Sequence, residues 1–188
     1  MKKGRDHRGC SMYGSEYVEV TMDIETDIGY EYRGLHQRAM LGRLLGVITG
    51  RPRSLRSLAE AMDGYRICGQ HDGGLKTVPL RRIVGSEGRC ADFDRDFRPL
   101  KTHTRQRWYN VARAHLTEVN LPPVDLIRVG DEYYVRDGNH RVSVARAFGL
   151  KAIEAIVTEY HLLPRTTFEV RAPVAGGALR RELLRDGT

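Results

Sequence analysis

Hydrophobic and polar positions alternate first at Val18, Val20, Met22 and Ile24, separated by Glu19, Thr21 and Asp23, a period of two that predicts a half-buried strand. The period then lengthens. Leu41, Leu44, Leu45 and Ile48 recur at i, i+3, i+4 and i+7, which predicts an amphipathic helix over 35–49, closed by Gly50 and blocked by Pro52. Ser54 reads as the cap of a second helix with Leu55, Leu58, Ala59 and Met62 inward, ending near Gly64. The link TGRPRS between them is longer and stiffer than the turn of a helix-turn-helix, so the pair is expected to form a helical extension packed on a main domain. Gly69, Gly73 and Gly74 mark the expected boundary between the two, within 64–75.

Beyond it, 77–84 is strand-like, and 86–108 is polar and irregular with Phe93 and Phe97 available to anchor it. Residues 104–119 predict a helix with Trp108, Val111, Ala112 and His115 on one face, His115 reading as packed or surface histidine rather than catalyst. Leu121-Pro122-Pro123 ends that helix, and 124–129 and 132–135 form a hairpin across Gly130-Asp131. A strand follows over 153–160. Phe168, Val170, Ala172 and Val174 alternate as one more, able to pair with the first, and ALRRELLRDG closes the chain as a short basic helix.

The stretch 133–150, YYVRDGNHRVSVARAFGL, carries the chemistry. A strand (Tyr133, Tyr134, Val135) runs into Asp137-Gly138 and turns at once into a helix whose apolar positions are Val142, Ala145 and Phe148, with Gly149 as the stop. The first N–H groups of such a helix lack intrahelical partners and lie at the positive end of its dipole, which suits a phosphate. Gly138 permits a positive φ and a close ligand, Arg141 offers a planar cationic fork, and His140 a donor that titrates near neutrality. Asp137 and Asn139 can cap the turn, but capping does not account for the adjacent His-Arg pair. A carboxylate beside a phosphate site suits magnesium ligation or acceptance of a substrate proton, and both roles are open to Asp137.

Charge refines this picture. The net charge is +7, with nine Lys and Arg against four Asp and Glu between Arg81 and Arg113, which suits a polyphosphate or a nucleic acid, or simply a solvated Arg-rich surface. Residues 16–31 hold six acids and no Lys or Arg, a poor surface for DNA. Apolar content of 40% and charged content of 29% in 188 residues fit one globular core, and no apolar run approaches a membrane span, so a cytoplasmic protein without a membrane partner is expected. Three cysteines argue against a disulfide framework. His7, Cys10, Cys68 and His71 have zinc-like spacing, and Asp92, Asp94 and Asp96 alternate as metal ligands would, but chance spacing and a solvated loop are the commoner meanings.

The loop Asp137-Gly138-Asn139-His140-Arg141 resembles the signature of the ParB/sulfiredoxin superfamily in its Asp-Gly-X-His-Arg version. TVPLRRIVG (77–85) resembles the opening proline-plus-strand segment of that family, RQRWYNVARAHL (105–116) its middle helix, LPPVDLIRVGDEYYVRDGNHR (121–141) its hairpin into the loop, and KAIEAIVTEY (151–160) the strand that follows. The resemblance spans about 75–160 and extends to uncharacterised bacterial proteins described as ParB-like nuclease domains. Sulfiredoxins carry Gly-Cys-His-Arg at the loop; Asn139 in the cysteine's place argues against thiol-based sulfinic acid reduction. Chromosome-partition ParB proteins carry Gly-Glu-Arg-Arg in a CTP-binding loop, and the domains that follow in them are not expected within 150–188. A third branch, the free-serine kinases, has a loop similar to this one.

The resemblance implies an α+β fold, a ParB/sulfiredoxin-like small mixed sheet with flanking helices after an N-terminal helical extension. The expected layout is a mobile 1–15, an extension over 16–74, the ParB-like domain over 75–160 and a tail over 161–188. It further implies a nucleotide (ATP, ADP or CTP) with Mg, phosphates on Gly138, Asn139, His140 and Arg141, and Arg89, Arg95 and Arg98 as second contacts. The leading expectation is a nucleotide-binding module coupled to DNA, through Arg81 to Arg113, or to another protein. A phosphotransferase with Asp137 and His140 as catalytic residues is the alternative, and a nuclease using metal at Asp137 the third. Self-association, as a homodimer through the extension, stays open.

Overall fold

The computed structural model describes residues 13–50 and 53–165, with side chains from Asp23 onward. Ten elements follow in order: α1 (Tyr13–Ile48), β1 (Arg56–Ser57), α2 (Leu58–Ala61), β2 (Tyr65–Pro79), β3 (Ile83–Ser86), α3 (Arg105–Leu116), β4 (Val124–Val129), β5 (Glu132–Asp137), α4 (Asn139–Ala147) and β6 (Ala152–Pro164). The fold is α+β, with one six-stranded mixed sheet in the order β1-β3-β5-β4-β6-β2. The pairs β4–β5 and β6–β2 are antiparallel, and β1–β3, β3–β5 and β4–β6 are parallel.

The hairpin forms as its alternation predicts. Val124, Leu126 and Val135 turn to one face and meet Phe93, Phe97, Val142 and Ala145, so α4 and the 86–104 loop cover that side of the sheet. Ile127 and Tyr134 turn to the other face, under Leu58 of α2. Gly85 lies where β3 passes closest to its neighbours: an added Cβ would stand 2.3 Å from the Arg56 carbonyl oxygen and 2.6 Å from the Tyr134 ring.

Four expectations need correcting. The alternation at 18–24 is not a strand, because these residues lie in α1. Ile28, Tyr32 and Leu35 are buried at a helical spacing and pack on α3 through Trp108, Tyr109 and Ala112, with Ala39 continuing the buried face, and that longer amphipathic repeat overrides four alternating residues. The packed face is therefore not the leucine stripe: Leu41, Leu44, Leu45 and Ile48 face solvent, whereas Gly42 and Gly46 are buried.

The second helix is shorter than its pattern suggested. Ser57, not Ser54, caps it, with Oγ accepting from the Ala59 N–H at 3.2 Å, while Ser54 bridges to Asp94 and Leu55 is buried. The glycine-rich stretch over 64–75 is not a linker but part of β2, paired with β6 along its whole length. Its glycines mark irregularities, with register shifts between Ile67 and Gly69 and between Asp72 and Gly74. The expected strand at 168–174, the basic C-terminal helix, and residues 1–12 of the expected mobile start lie outside the described residues; Tyr13, Gly14 and Ser15 belong to α1.

Candidate functional site

The site is built where β5 ends. Asp137 is the last residue of the strand, Gly138 adopts φ 98°, and Asn139 opens α4. Only glycine fits here, because an added Cβ would meet Val124 Cγ1 at 2.6 Å and the Arg141 guanidinium at 2.9 Å, in a backbone conformation that L side chains rarely adopt. The first intrahelical bond runs from the Val142 N–H to the Gly138 carbonyl (3.0 Å), which leaves the N–H groups of Asn139, His140 and Arg141 at the open end of the helix.

The side chains at this corner are buried and incompletely bonded. His140 is 6% exposed and Asn139 5%. The His140 Nε2, the Asn139 Oδ1 and the Arg141 Nε are all shielded from solvent without a hydrogen-bond partner. Buried polar atoms are normally satisfied, so the Arg141 Nε and a protonated His140 Nε2 are open to an acceptor in the cleft, whereas the Asn139 Oδ1 itself accepts and pairs with no anion. All three residues border a cleft of about 320 Å³ lined by Asp137 to Arg141 together with Arg89, Arg107, Val111, Leu121 and Arg136.

Electrostatics in the cleft favour an anion. Burial, then the positive charges of Arg107 and Arg89, push the His140 imidazole down from 6.5 to about 4, against the opposing pull of Asp92 and Asp137. The ring stands edge-on to Phe93 with centroids 5.2 Å apart. Arg141 donates to the exposed Asp137 carboxylate at 2.7 Å. The guanidinium is thus held at the mouth of the cleft by a partner that water can replace.

All five residues of the loop meet at this cleft, and Arg89 joins them as expected. Arg95 and Arg98 do not: both turn to Asp96, and Arg98 also to Asp94. Sequence reasoning missed Arg107 and Arg136. For Arg107 a signal existed, because it precedes Val111 by one helical turn and so shares its face. The acidic triplet organises its own loop. Asp94 Oδ1 accepts from the N–H groups of Asp96 and Arg98, and Asp92 pairs with Arg89 and Lys101.

Among the described residues, no group of three His, Cys, Asp or Glu side chains is placed to hold a metal ion. His7 and Cys10 of the zinc-like spacing lie outside them, and Cys68 donates to the His161 carbonyl oxygen. The Cys90 thiol is pushed up by burial, so it lacks the character of a reactive thiolate. His115 packs on Phe148 with centroids 5.3 Å apart. A larger cavity, about 510 Å³, lies between the end of α1 and the loop at Cys90 to Lys101, away from the orphaned polar atoms.

No family model matches the chain, and no curated protein matches it. Among solved structures, the crystal structure of sulfiredoxin from Arabidopsis thaliana aligns with 44% of this chain and 82% of its own at 18% identity, with a TM-score of 0.34. A superposition that loose carries no residue correspondence. No described helix is long and apolar enough to cross a membrane.

Proposed function

We propose that the chain is a ParB/sulfiredoxin-type nucleotide-binding protein that holds the phosphates of its ligand at the open end of α4. The observation that supports this reading most is the His140 Nε2, buried in the cleft wall without a partner while burial, and after it the charges of Arg107 and Arg89, keep the ring short of a proton. A phosphate oxygen would accept a hydrogen bond there, the N–H groups of Asn139 to Arg141 would donate others, and Arg141 and Arg107 would supply charge. Magnesium, if carried in with the nucleotide, would find Asp137 as its protein ligand, the remaining positions being filled by phosphate oxygens and water.

DNA is the weaker part of the proposal. Of the basic residues between Arg81 and Arg113, Arg98, Lys101 and Arg113 are held by Asp94, Asp92 and Glu25, and Arg89 and Arg107 line the cleft, so the positive charge serves loop and cleft before any duplex. A phosphotransferase is favoured by one observation, the exposure of the Asp137 carboxylate beside the cleft, where it can accept a proton from a hydroxylated acceptor. The nuclease reading has no group of three His, Cys, Asp or Glu side chains behind it among the described residues.

Calorimetry with tripolyphosphate, ATP, ADP and CTP, each with and without magnesium, tests the proposal. Arg141→Ala is expected to weaken the bound species by about a hundredfold, the worth of a buried charge-assisted pair of hydrogen bonds, and the exposed Arg107→Ala by about tenfold. Unchanged affinity in both folded variants rejects the phosphate site. Asp137→Asn discriminates between roles. With Asp137 only a counter-ion to Arg141, the variant binds metal-free tripolyphosphate more tightly; with Asp137 a metal ligand, it loses the magnesium-dependent part of binding. Nucleotide consumption that requires a small hydroxylated acceptor marks the enzyme.

A further inference from the structure

The cavity between the end of α1 and the loop at Cys90 to Lys101 takes no part in the phosphate site, yet at about 510 Å³ it is the larger of the two spaces. That volume lies within the roughly 300–1,000 Å³ of small-molecule sites. Its room comes from glycine. Gly42 and Gly46 stand one turn apart on the buried side of α1, and Arg53 lies across the first of them, where an added Cβ would meet its Nη1 at 3.4 Å and its Cδ at 3.5 Å. Gly46 and Gly50 line the space with backbone alone, and Val47, Ala91 and Leu100 make the rest of the wall mainly apolar.

Charge selects the ligand. The charged residues of the lining are Arg43, Arg53, Lys101 and Asp94. Asp94 is already bonded: its Oδ1 accepts from the N–H groups of Asp96 and Arg98 at 3.0 and 2.8 Å, and its Oδ2 lies 3.7 Å from the Arg98 guanidinium. Lys101 is shared with Asp92 at 3.2 Å. Arg43 and Arg53 have no carboxylate partner among the described residues, and a bond from the Arg95 N–H to the Arg53 carbonyl (3.0 Å) fixes the backbone of the second at the cavity edge. The ends of the chain are poor occupants, since 1–12 carry Lys2, Lys3, Arg5 and Arg8 against Asp6, and 166–188 carry four Arg against three acids. Unpaired cations beside an apolar wall complement an anion with an apolar body. We infer that this cavity binds a small organic anion, a carboxylate on an apolar chain or ring, with its body against Val47, Ala91 and Leu100 and its carboxylate held by Arg43 and Arg53.

Calorimetry of the full chain with decanoate, and with decyltrimethylammonium as a cation of the same chain length, tests this. Decanoate is expected to bind once per chain and the cation not at all. Arg43→Ala with Arg53→Ala is expected to weaken decanoate by about tenfold, since both guanidinium groups act at a partly exposed rim. Ala91→Trp, at an exposed position and so compatible with the fold, is expected to fill the cavity and remove binding. Leu44→Glu, on the exposed face of α1 outside the cavity, is expected to leave it unchanged. No binding of decanoate at millimolar concentration overturns the inference, and so does equal binding of the cation or an arginine variant as tight as the wild type. Binding that survives Ala91→Trp but is lost in Leu44→Glu overturns it by placing decanoate on the leucines of α1. Displacement of decanoate by tripolyphosphate overturns it by placing the anion in the phosphate cleft.

Discussion

Lowering the pH from 6.5 to 4 is expected to cost the fold about 3 kcal/mol through His140 alone. The unfolded chain takes up a proton near 6.5, whereas burial and the charges of Arg107 and Arg89 hold the folded imidazole down to about 4. The unfolded state therefore binds more protons throughout that window. Stability is complete above 6.5, falls as the pH drops through the interval, and has lost the full amount once the pH is below 4. Denaturant titrations at pH 7 and pH 4 check this: the wild type should lose about 3 kcal/mol more than His140→Gln, which has no imidazole to protonate. Equal losses in the two proteins would mean that water already reaches the ring.

The same electrostatics tie the proposed ligand to protons. A phosphate in the cleft offsets Arg107 and Arg89 and accepts from the imidazole, so its binding raises the proton affinity of His140. Phosphate affinity should then increase as the pH falls toward 5. Calorimetry in buffers of different ionisation enthalpy would record the proton uptake directly, and an uptake absent from His140→Gln assigns it to this side chain.

Trp108→Ala is expected to destabilise the protein by about 3–5 kcal/mol, at the upper end for a single core truncation. Trp108 is fully buried and joins three helices. Its ring packs edge-on against Tyr32 of α1 with centroids 5.5 Å apart, and its Nε1 donates to Ser143 Oγ of α4 at 3.0 Å. Trp108→Phe keeps most of the packing but leaves the buried Ser143 hydroxyl without its donor, a smaller cost of about 1–2 kcal/mol. Guanidinium unfolding of both variants checks the ordering. Because α4 carries the loop, Trp108→Ala should also loosen phosphate binding before the fold is lost; a cost below about 1 kcal/mol would show that α1 and α3 do not stabilise α4.

The parts of this protein that the amino-acid sequence determined by itself are those whose partners lie nearby in the chain. Asp137-Gly138 followed by the apolar spacing of Val142 and Ala145 specifies a strand, a left-handed turn and a helix start within a dozen residues. Val124 to Val135 likewise specifies its own hairpin, since both strands and the Gly130 turn are contiguous. What the tertiary structure decided involves distant partners. Residues 18–24 alternate as a strand would, yet they belong to the helix whose Ile28, Tyr32 and Leu35 pack on Trp108 and Tyr109, and the face so buried turns Leu41, Leu44 and Leu45 outward. The glycines of β2 look like a linker until β6, more than eighty residues later, pairs with them and makes them bulges. Arg107 reaches the cleft at Gly138 only because α3 packs on α4. A short-range pattern records which conformations a segment can adopt, whereas the face it buries depends on surfaces that exist only after the chain has closed on itself.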